Sequence, residues 1–394
     1  MSEEIPLWMV EDAETLDRMV ARLAKATVIG VDTESDSMYH YREKVCLIQF
    51  SDLHTDYIVD PLKIDDLSPL GPIFASPSIC KIFHGADFDV VSLTRDFGFE
   101  INGIFDTMIA SQMLGFPKVG LADLIGRFFG EVIDKKYQRH DWSSRPLLEE
   151  HLDYAKGDTH WLLAIREILI RRLRRAGKLR HVREEGELLS RRRWEHPKDD
   201  KTAFLRVKQA STLDTRELRI LRKLYVYRDE QARRMDRPVY KVIPDGVLID
   251  VARAAPRSAD DLDRVIPGMH GLKRRHRSAL LAAVEEGLAD TQPIPRQRRK
   301  GPSREKIPVG LQGKSAERAL LRLKEWRKEL MRRNPGLAPA TTASNSVLAN
   351  VARYRPTSLE ELAEVPDVRR WQVRDFGEAL LEVLDEIDPP KGNG

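Results

Sequence analysis

The chain has 394 residues, 41% of them hydrophobic, and a formal net charge of +4. At about 150 residues per domain this implies two or three domains, and no apolar run is long enough to cross a bilayer, so the reading is a globular, soluble protein without a membrane partner. The near-neutral total hides a polarity: residues 1–170 carry 16 Lys+Arg against 29 Asp+Glu, net −13, which leaves +17 for the remainder. A cation-dependent site in the first part and a polyanion-gripping surface in the second would produce this split, as would a tail merely solvated by lysine and arginine. Two cysteines, Cys46 and Cys80, are too few for a disulfide framework or a cysteine metal site. With an acidic start that lacks the basic and apolar regions of a secretory signal, they read as buried thiols of a cytoplasmic protein.

In chain order, Glu11 to Ala26 sets Leu16, Met19, Val20 and Leu23 on one helical stripe. Val28, Ile29 and Val31 then form a short β-branched strand ending in Asp32-Thr33-Glu34. Side chains alternate along a strand, so Asp32 and Glu34 leave one face side by side, where they repel unless a cation lies between them. An acidic, solvated strand end is an equally ordinary reading of that tripeptide alone. Val45 to Phe50 and Tyr57 to Val59 read as strands of an antiparallel meander, and Leu62 to Phe74 as a short helix. Ile79 to Phe83 is a fourth strand, followed by His84-Gly85-Ala86 and a helix from Asp87 to Phe97 that carries Asp89 in its first turn. Ile101 to Phe105 is a fifth strand closed by Asp106. Helices follow at Thr107 to Leu114 and Leu121 to Phe129, then a long one from near Pro146, on which Tyr154 and Asp158 lie four apart on one face. Strands that meander and then alternate with helices indicate an α/β domain with a mixed sheet.

Four acids thus come from three elements, with a phenol one turn from the last. Hard cations such as Mg2+ and Mn2+ take carboxylate oxygens, and two of them can clamp a phosphodiester. No His-Cys or His-His spacing accompanies the acids, which disfavours zinc.

From about Ile165 the chain reads as a long basic helix, then a connector at Lys198 to Val207. A repeat follows at an offset of one hundred residues: Val247-Leu248-Ile249-Asp250-Val251-Ala252-Arg253 matches Val347-Leu348-Ala349-Asn350-Val351-Ala352-Arg353, and Pro256, Ser258, Leu262 and Val265 match Pro356, Ser358, Leu362 and Val365. Each copy has apolar helices before and after it, so both read as small all-helical units. The proline-rich basic stretch between them reads as an exposed linker.

Asp32-Thr33-Glu34, Asp89 within HGADFD, and Tyr154-x-x-x-Asp158 resemble the three motifs of the tyrosine-bearing branch of the DEDD exonucleases. Leu47 to Phe50, Phe105-Asp106-Thr107, and Lys135 with RHDWSSRPL at 139–147 resemble the ribonuclease D family in particular, and the repeats resemble HRDC domains. The resemblance implies an α/β exonuclease domain over residues 1–200, a ribonuclease-H-like mixed sheet flanked by helices, followed by two all-α HRDC domains at 208–292 and 312–388 around a linker at 293–311. It further implies 3′→5′ hydrolysis of RNA to nucleoside 5′-monophosphates with two divalent ions, Mg2+ or Mn2+. Asp32 would bridge both ions, Glu34 and Asp158 complete one site, and Asp89 hold the other. Tyr154 would orient the attacking water, because a phenol is a poor base near neutral pH. Thr33, His84, Lys135 and Arg139 would meet substrate, Arg145 is a further candidate for phosphate contact, and Trp142 reads as core. Asp87 departs from the family pattern and competes with Asp89, which alignment of His84 favours. The implied partner is RNA with a free 3′ end, transfer-RNA precursors being the suggested class, for a monomeric enzyme. A DNA-directed 3′→5′ exonuclease and a non-catalytic RNA-binding scaffold are the rival readings.

Overall fold

The computed structural model of the chain describes residues 5–194, 201–295 and 314–387. They fall into two compact units, one of residues 5–34, 45–194 and 314–387, the other of residues 35–44 and 201–295.

The first unit is built on a six-stranded sheet. In chain order its elements are β1 (Leu7–Val10), α1 (Ala13–Leu23), β2 (Val28–Ser35), β3 (Val45–Ser51), β4 (Asp56–Val59), α2 (Gly71–Ala75), β5 (Cys80–Phe83), α3 (Asp87–Phe97), β6 (Ile104–Asp106), α4 (Thr107–Met113), α5 (Leu121–Phe129), α6 (Glu149–His160), α7 (Leu162–Arg175) and α8 (Leu179–Leu189). The strand order is β1-β4-β3-β2-β5-β6. β3 and β4 pair antiparallel, while β1–β4, β2–β5 and β5–β6 are parallel, so the sheet is mixed. Strand alternation sends Ile29, Val31, Ile48 and Phe50 into one core with Leu16 and Met19 of α1 and Val90 and Leu93 of α3. On the other face Leu47 and Ile58 pack with Trp142 and Ala155, and Ile82 with Leu162, Ile165 and Leu169. Helices on both faces explain why β3 is buried along its whole length.

Several expected elements differ. The strand β1 was hidden in an acidic start, because four residues are too few to show a period. The helix expected over Leu62 to Phe74 is only a 3-10 turn at Ser68–Leu70 followed by α2, each opened by a proline. The fifth strand is shortened to Ile104–Asp106, since Gly103 has φ +69°. The long helix expected from near Pro146 starts at Glu149 and is interrupted at Trp161, and the basic helix expected from about Ile165 is divided into α7 and α8 around Gly177, whose φ is +69°. The buried stripe stays in phase across Trp161, whereas beyond Gly177 Val182, Gly186 and Leu189 fall on the opposite side of the helical period, so only the first break is hidden from periodicity.

The helices that follow in chain order belong to the second unit. That unit comprises α9 (Thr215–Arg234), α10 (Val239–Val242), α11 (Asp245–Ala254), α12 (Ala259–Val265) and α13 (His270–Ala289). Returning to the first unit, the second copy comprises α14 (Lys314–Arg333), α15 (Asn345–Tyr354), α16 (Leu359–Ala363) and α17 (Arg370–Ile387). The repeat holds at atomic detail. Ala255 and Arg355 both close their helices at positive φ, +48° and +51°, and Ser258 and Ser358 both cap the next helix. The linker expected at 293–311 and the connector at 198–207 lie partly outside the described residues; within the connector Ala203–Arg206 forms a 3-10 turn with Phe204 buried.

Each helical module is tied to sequence from the N-terminal half. In the second unit, segment 35–44 is gripped by α9 and its end: the Tyr41 hydroxyl donates to Asp229 at 2.9 Å, and His40 Nδ1 lies 2.6 Å from Asp236. In the first unit, Trp371 of α17 is buried in the cluster that contains Leu169, Leu173 and Val182. Its indole donates to Glu185 (2.9 Å), and the backbone N–H groups of Arg370 and Trp371 donate to Glu184 (2.6 and 3.2 Å).

Candidate active site

The β-branched run of β2 places Asp32 and Glu34 on one face and Val31 and Thr33 on the other. Thr33 is buried, and its hydroxyl donates to Asp89 Oδ1 at 2.6 Å, which joins the first motif to the second. Asp89 owes its place to Asp106. The Asp106 carboxylate accepts from the backbone N–H of Gly85 (3.1 Å) and Ala86 (2.8 Å) and also from Met108 and Ile109 (2.8 and 3.0 Å) at the start of α4. One side chain therefore fixes the turn that launches α3 and caps the neighbouring helix. Asp158 and Tyr154 arrive on α6 from the third direction. Asp32, Glu34 and Asp158 each present a carboxylate oxygen, all within 4.8 Å of one another.

Packing acids this closely has an electrostatic cost. Burial, then the charges of Asp89, Asp158 and Glu34, hold Asp32 well above the usual carboxylate range. Burial and the charges of Asp158 and Asp89 do the same to Glu34. Asp158 is pushed up to about 7 by burial and by Asp89. Asp89 rises to about 6 through burial, against the lowering effect of its Thr33 hydrogen bond. Burial and the charges of Asp158, Glu34 and Asp32 push the Tyr154 phenol far above its ordinary value, so it keeps its proton. An all-oxygen donor set whose members repel one another fits hard divalent cations of the Mg2+ and Mn2+ class, which would relieve the repulsion.

The remaining candidates divide. His84 is half-buried, and its Nδ1 lies 2.9 Å from Thr107 Oγ1, whose proton goes to the Phe83 carbonyl (2.9 Å). Nδ1 is therefore the protonated nitrogen, which leaves Nε2 an acceptor, and burial lowers the pKa and favours this neutral form. Lys135 and Arg139 are exposed on the loop between α5 and α6, not in the carboxylate cluster; Tyr137 between them meets Tyr154 edge to face, centroids 6.1 Å apart. Arg145 is a structural staple instead of a phosphate ligand. It grips buried Asp60 through Nε and Nη2 (2.7 and 2.8 Å) and donates to the carbonyls of Trp142, Ser144 and Cys46. Trp142 is buried, as its reading as core requires. Asp87 is exposed and pairs with Arg192 at 3.0 Å, which separates it from Asp89. Sequence reasoning missed the organising role of Asp106, although an aspartate directly before a helix is the pattern of an N-cap.

A family profile described as 3′-5′ exonuclease matches residues 7–174, and the HRDC domain profile matches 217–284 and 316–384. The chain is similar to the structure of Escherichia coli RNase D, described as an exoribonuclease involved in structured RNA processing, at 27% identity and TM-score 0.70 over 96% of this chain and 99% of that one. It is also similar to the catalytic core of RRP6 from Trypanosoma brucei, at 34% identity and TM-score 0.64 over 74% of this chain and 82% of that one. The chain belongs to the ribonuclease D family, in which a 3′-5′ exonuclease domain is joined to HRDC domains. Its α/β body is the family's exonuclease domain, and its two helical modules are HRDC domains. Ribonuclease D of Gluconacetobacter diazotrophicus is 29% identical over 96% of this chain and 92% of its own length. The chain spans less than half of the first curated relatives it matches, 30% of the Exosome complex component 10 homolog of Caenorhabditis elegans at 35% identity and 41% of yeast RRP6 at 32%.

Proposed function

We propose that the chain hydrolyses RNA from a free 3′ end to nucleoside 5′-monophosphates, using two divalent cations, Mg2+ or Mn2+, held by Asp32, Glu34, Asp89 and Asp158. The observation that carries this reading is the convergence of three carboxylates within 4.8 Å, with a fourth tied to the same strand through Thr33. When bound, such a cation pair lowers the pKa of the attacking water and neutralises charge on the leaving 3′ oxygen. The chain's own residues do the rest. Asp32 would contact both cations, Glu34 and Asp158 would help hold one, and Asp89, fixed by Thr33, would help hold the other. Tyr154 retains its proton and orients the water by hydrogen bonding instead of abstracting a proton. His84 offers Nε2 to a hydroxyl of the terminal nucleotide, and Lys135 and Arg139 meet phosphates farther along the strand.

The net charge of +17 beyond residue 170 supports a sequence-tolerant grip on RNA by the HRDC domains, with residues 1–200, 208–292 and 312–388 as the working division. Structured RNAs with a single-stranded 3′ end are the substrate class, transfer-RNA precursors among them, for a cytoplasmic monomer. Matched 5′-labelled RNA and DNA oligonucleotides incubated with Mn2+ test this. Stepwise shortening of RNA with release of 5′-monophosphates is expected. Preferential loss of DNA would favour a DNA-directed exonuclease, and unchanged lengths would favour a binding scaffold.

A further inference from the structure

The last turn of α6, which carries Asp158, rests on a buried polar clamp. Asp56, at the start of β4, is 1% exposed. Its carboxylate accepts a hydrogen bond from Ser51 Oγ at 2.5 Å, and its other oxygen lies 2.7 Å from His160 Nδ1. The Ser51 and Thr159 hydroxyls are 2.7 Å apart. Serine has one proton, which goes to the carboxylate, so Thr159 donates to Ser51. Ser51 and Asp56 are direct cross-strand partners in the β3–β4 ladder. From the neighbouring strand, Gly30 admits the same turn: a Cβ there would sit 3.1 Å from the Thr159 carbonyl oxygen. Residues 159 and 160 are thereby fastened to β2, β3 and β4, and Asp158, one residue earlier, takes its position from them.

We propose that Asp56, acting through Ser51, Thr159 and His160, is a positioning residue that fixes Asp158 against Asp32 and Glu34 and so sets the affinity of the site for divalent cations. The inference rests on the two-cation reading above. Its physical basis is that three mutually repelling carboxylates spread apart unless their backbones are restrained, and the clamp restrains the helix that brings in the third. A buried Asp–Ser–Thr set is a poor choice for stability alone, because an apolar set of similar volume packs as well without the desolvation cost.

The test measures Mn2+ binding to the full chain by the electron-paramagnetic-resonance signal of free Mn2+, together with steady-state RNA hydrolysis. Wild type should bind Mn2+. Asp56→Ala and Ser51→Ala should each weaken binding about tenfold and lower kcat in parallel, with KM for RNA unchanged, while Asp56→Asn, which keeps an oxygen acceptor for Ser51, recovers most of the affinity. Folded Asp56→Ala and Ser51→Ala chains that bind Mn2+ as tightly as wild type would overturn the inference, whatever their stability. Should Asp56→Ala fail to fold, the loss of one hydroxyl in Ser51→Ala decides alone. Failure of wild type itself to bind Mn2+ would strike the cation reading instead.

Discussion

Asp32, Glu34, Asp89 and Asp158 each hold a proton more tightly in the folded chain than an ordinary carboxylate does, with values near 6 for Asp89 and near 7 for Asp158. Between pH 4 and these values the folded chain binds more protons than the unfolded one, so their contribution to stability is greatest at low pH and is lost as pH rises. Without divalent ions, the melting temperature should therefore fall between pH 5 and pH 8. Mn2+ should raise it most at pH 8, and Asp158→Asn should flatten the pH dependence. A metal-free melting temperature that is level or rising over this interval, with the same profile in Asp158→Asn, would contradict the electrostatic account. Asp32→Asn should lower hydrolysis by more than about 100-fold while RNA binding, read by filter retention, stays within about twofold. Tyr154→Phe should lower kcat by about 10- to 100-fold without changing KM, because the phenol aligns a water and does not hold the substrate. Strand and helix periods made the shared faces of Asp32 with Glu34 and of Tyr154 with Asp158 legible, whereas the choice of Asp89 over Asp87 came from the family resemblance. Thr33 was not legible as the anchor of Asp89, nor Thr107 as the residue that sets the His84 tautomer, because those bonds join residues 56 and 23 positions apart.

Elements are placed on the sheet by close approaches that composition does not reveal. A Cβ at Gly186 of α8 would run into the backbone oxygen of Ile104 on β6, so this helix crosses its strand at contact distance. Gly186→Ala should therefore cost about 1–3 kcal/mol, measured by urea unfolding, whereas the same change at Gly157, with open space around it, should cost far less. Equal effects at the two sites would mean that α8 does not rest on β6 as described. Strong, regular patterns announced β2, β3, α1 and α3 to within a few residues. The break at Trp161 did not announce itself, since α6 and α7 keep one buried stripe, whereas the break at Gly177 was legible: Val182, Gly186 and Leu189 of α8 fall out of phase with α7, and the glycine takes the left-handed conformation between them. Pro69 and Pro72 were likewise visible and should have shortened the expected helix over Leu62 to Phe74.

At the scale of the whole molecule, the duplicated helical module was plain from its hundred-residue offset, but the anchorage of the second copy was not. Glu184 and Glu185 read as part of a solvated basic helix, yet they bind the backbone and indole at the start of α17, and Trp371 completes a core of the nuclease body. The second HRDC domain is thus more than an appended grip. Trp371→Ala should destabilise this unit by about 3–5 kcal/mol and raise hydrogen exchange both in α17 and in α8, whereas a freely appended module would leave α8 unchanged. The central claim remains that distant segments build one site for two divalent ions. Anomalous diffraction from crystals soaked with Mn2+ and a nucleoside 5′-monophosphate tests it most directly. The account predicts two peaks about 3.5–4 Å apart among Asp32, Glu34, Asp89 and Asp158, and density free of any anomalous peak between those four side chains would contradict it.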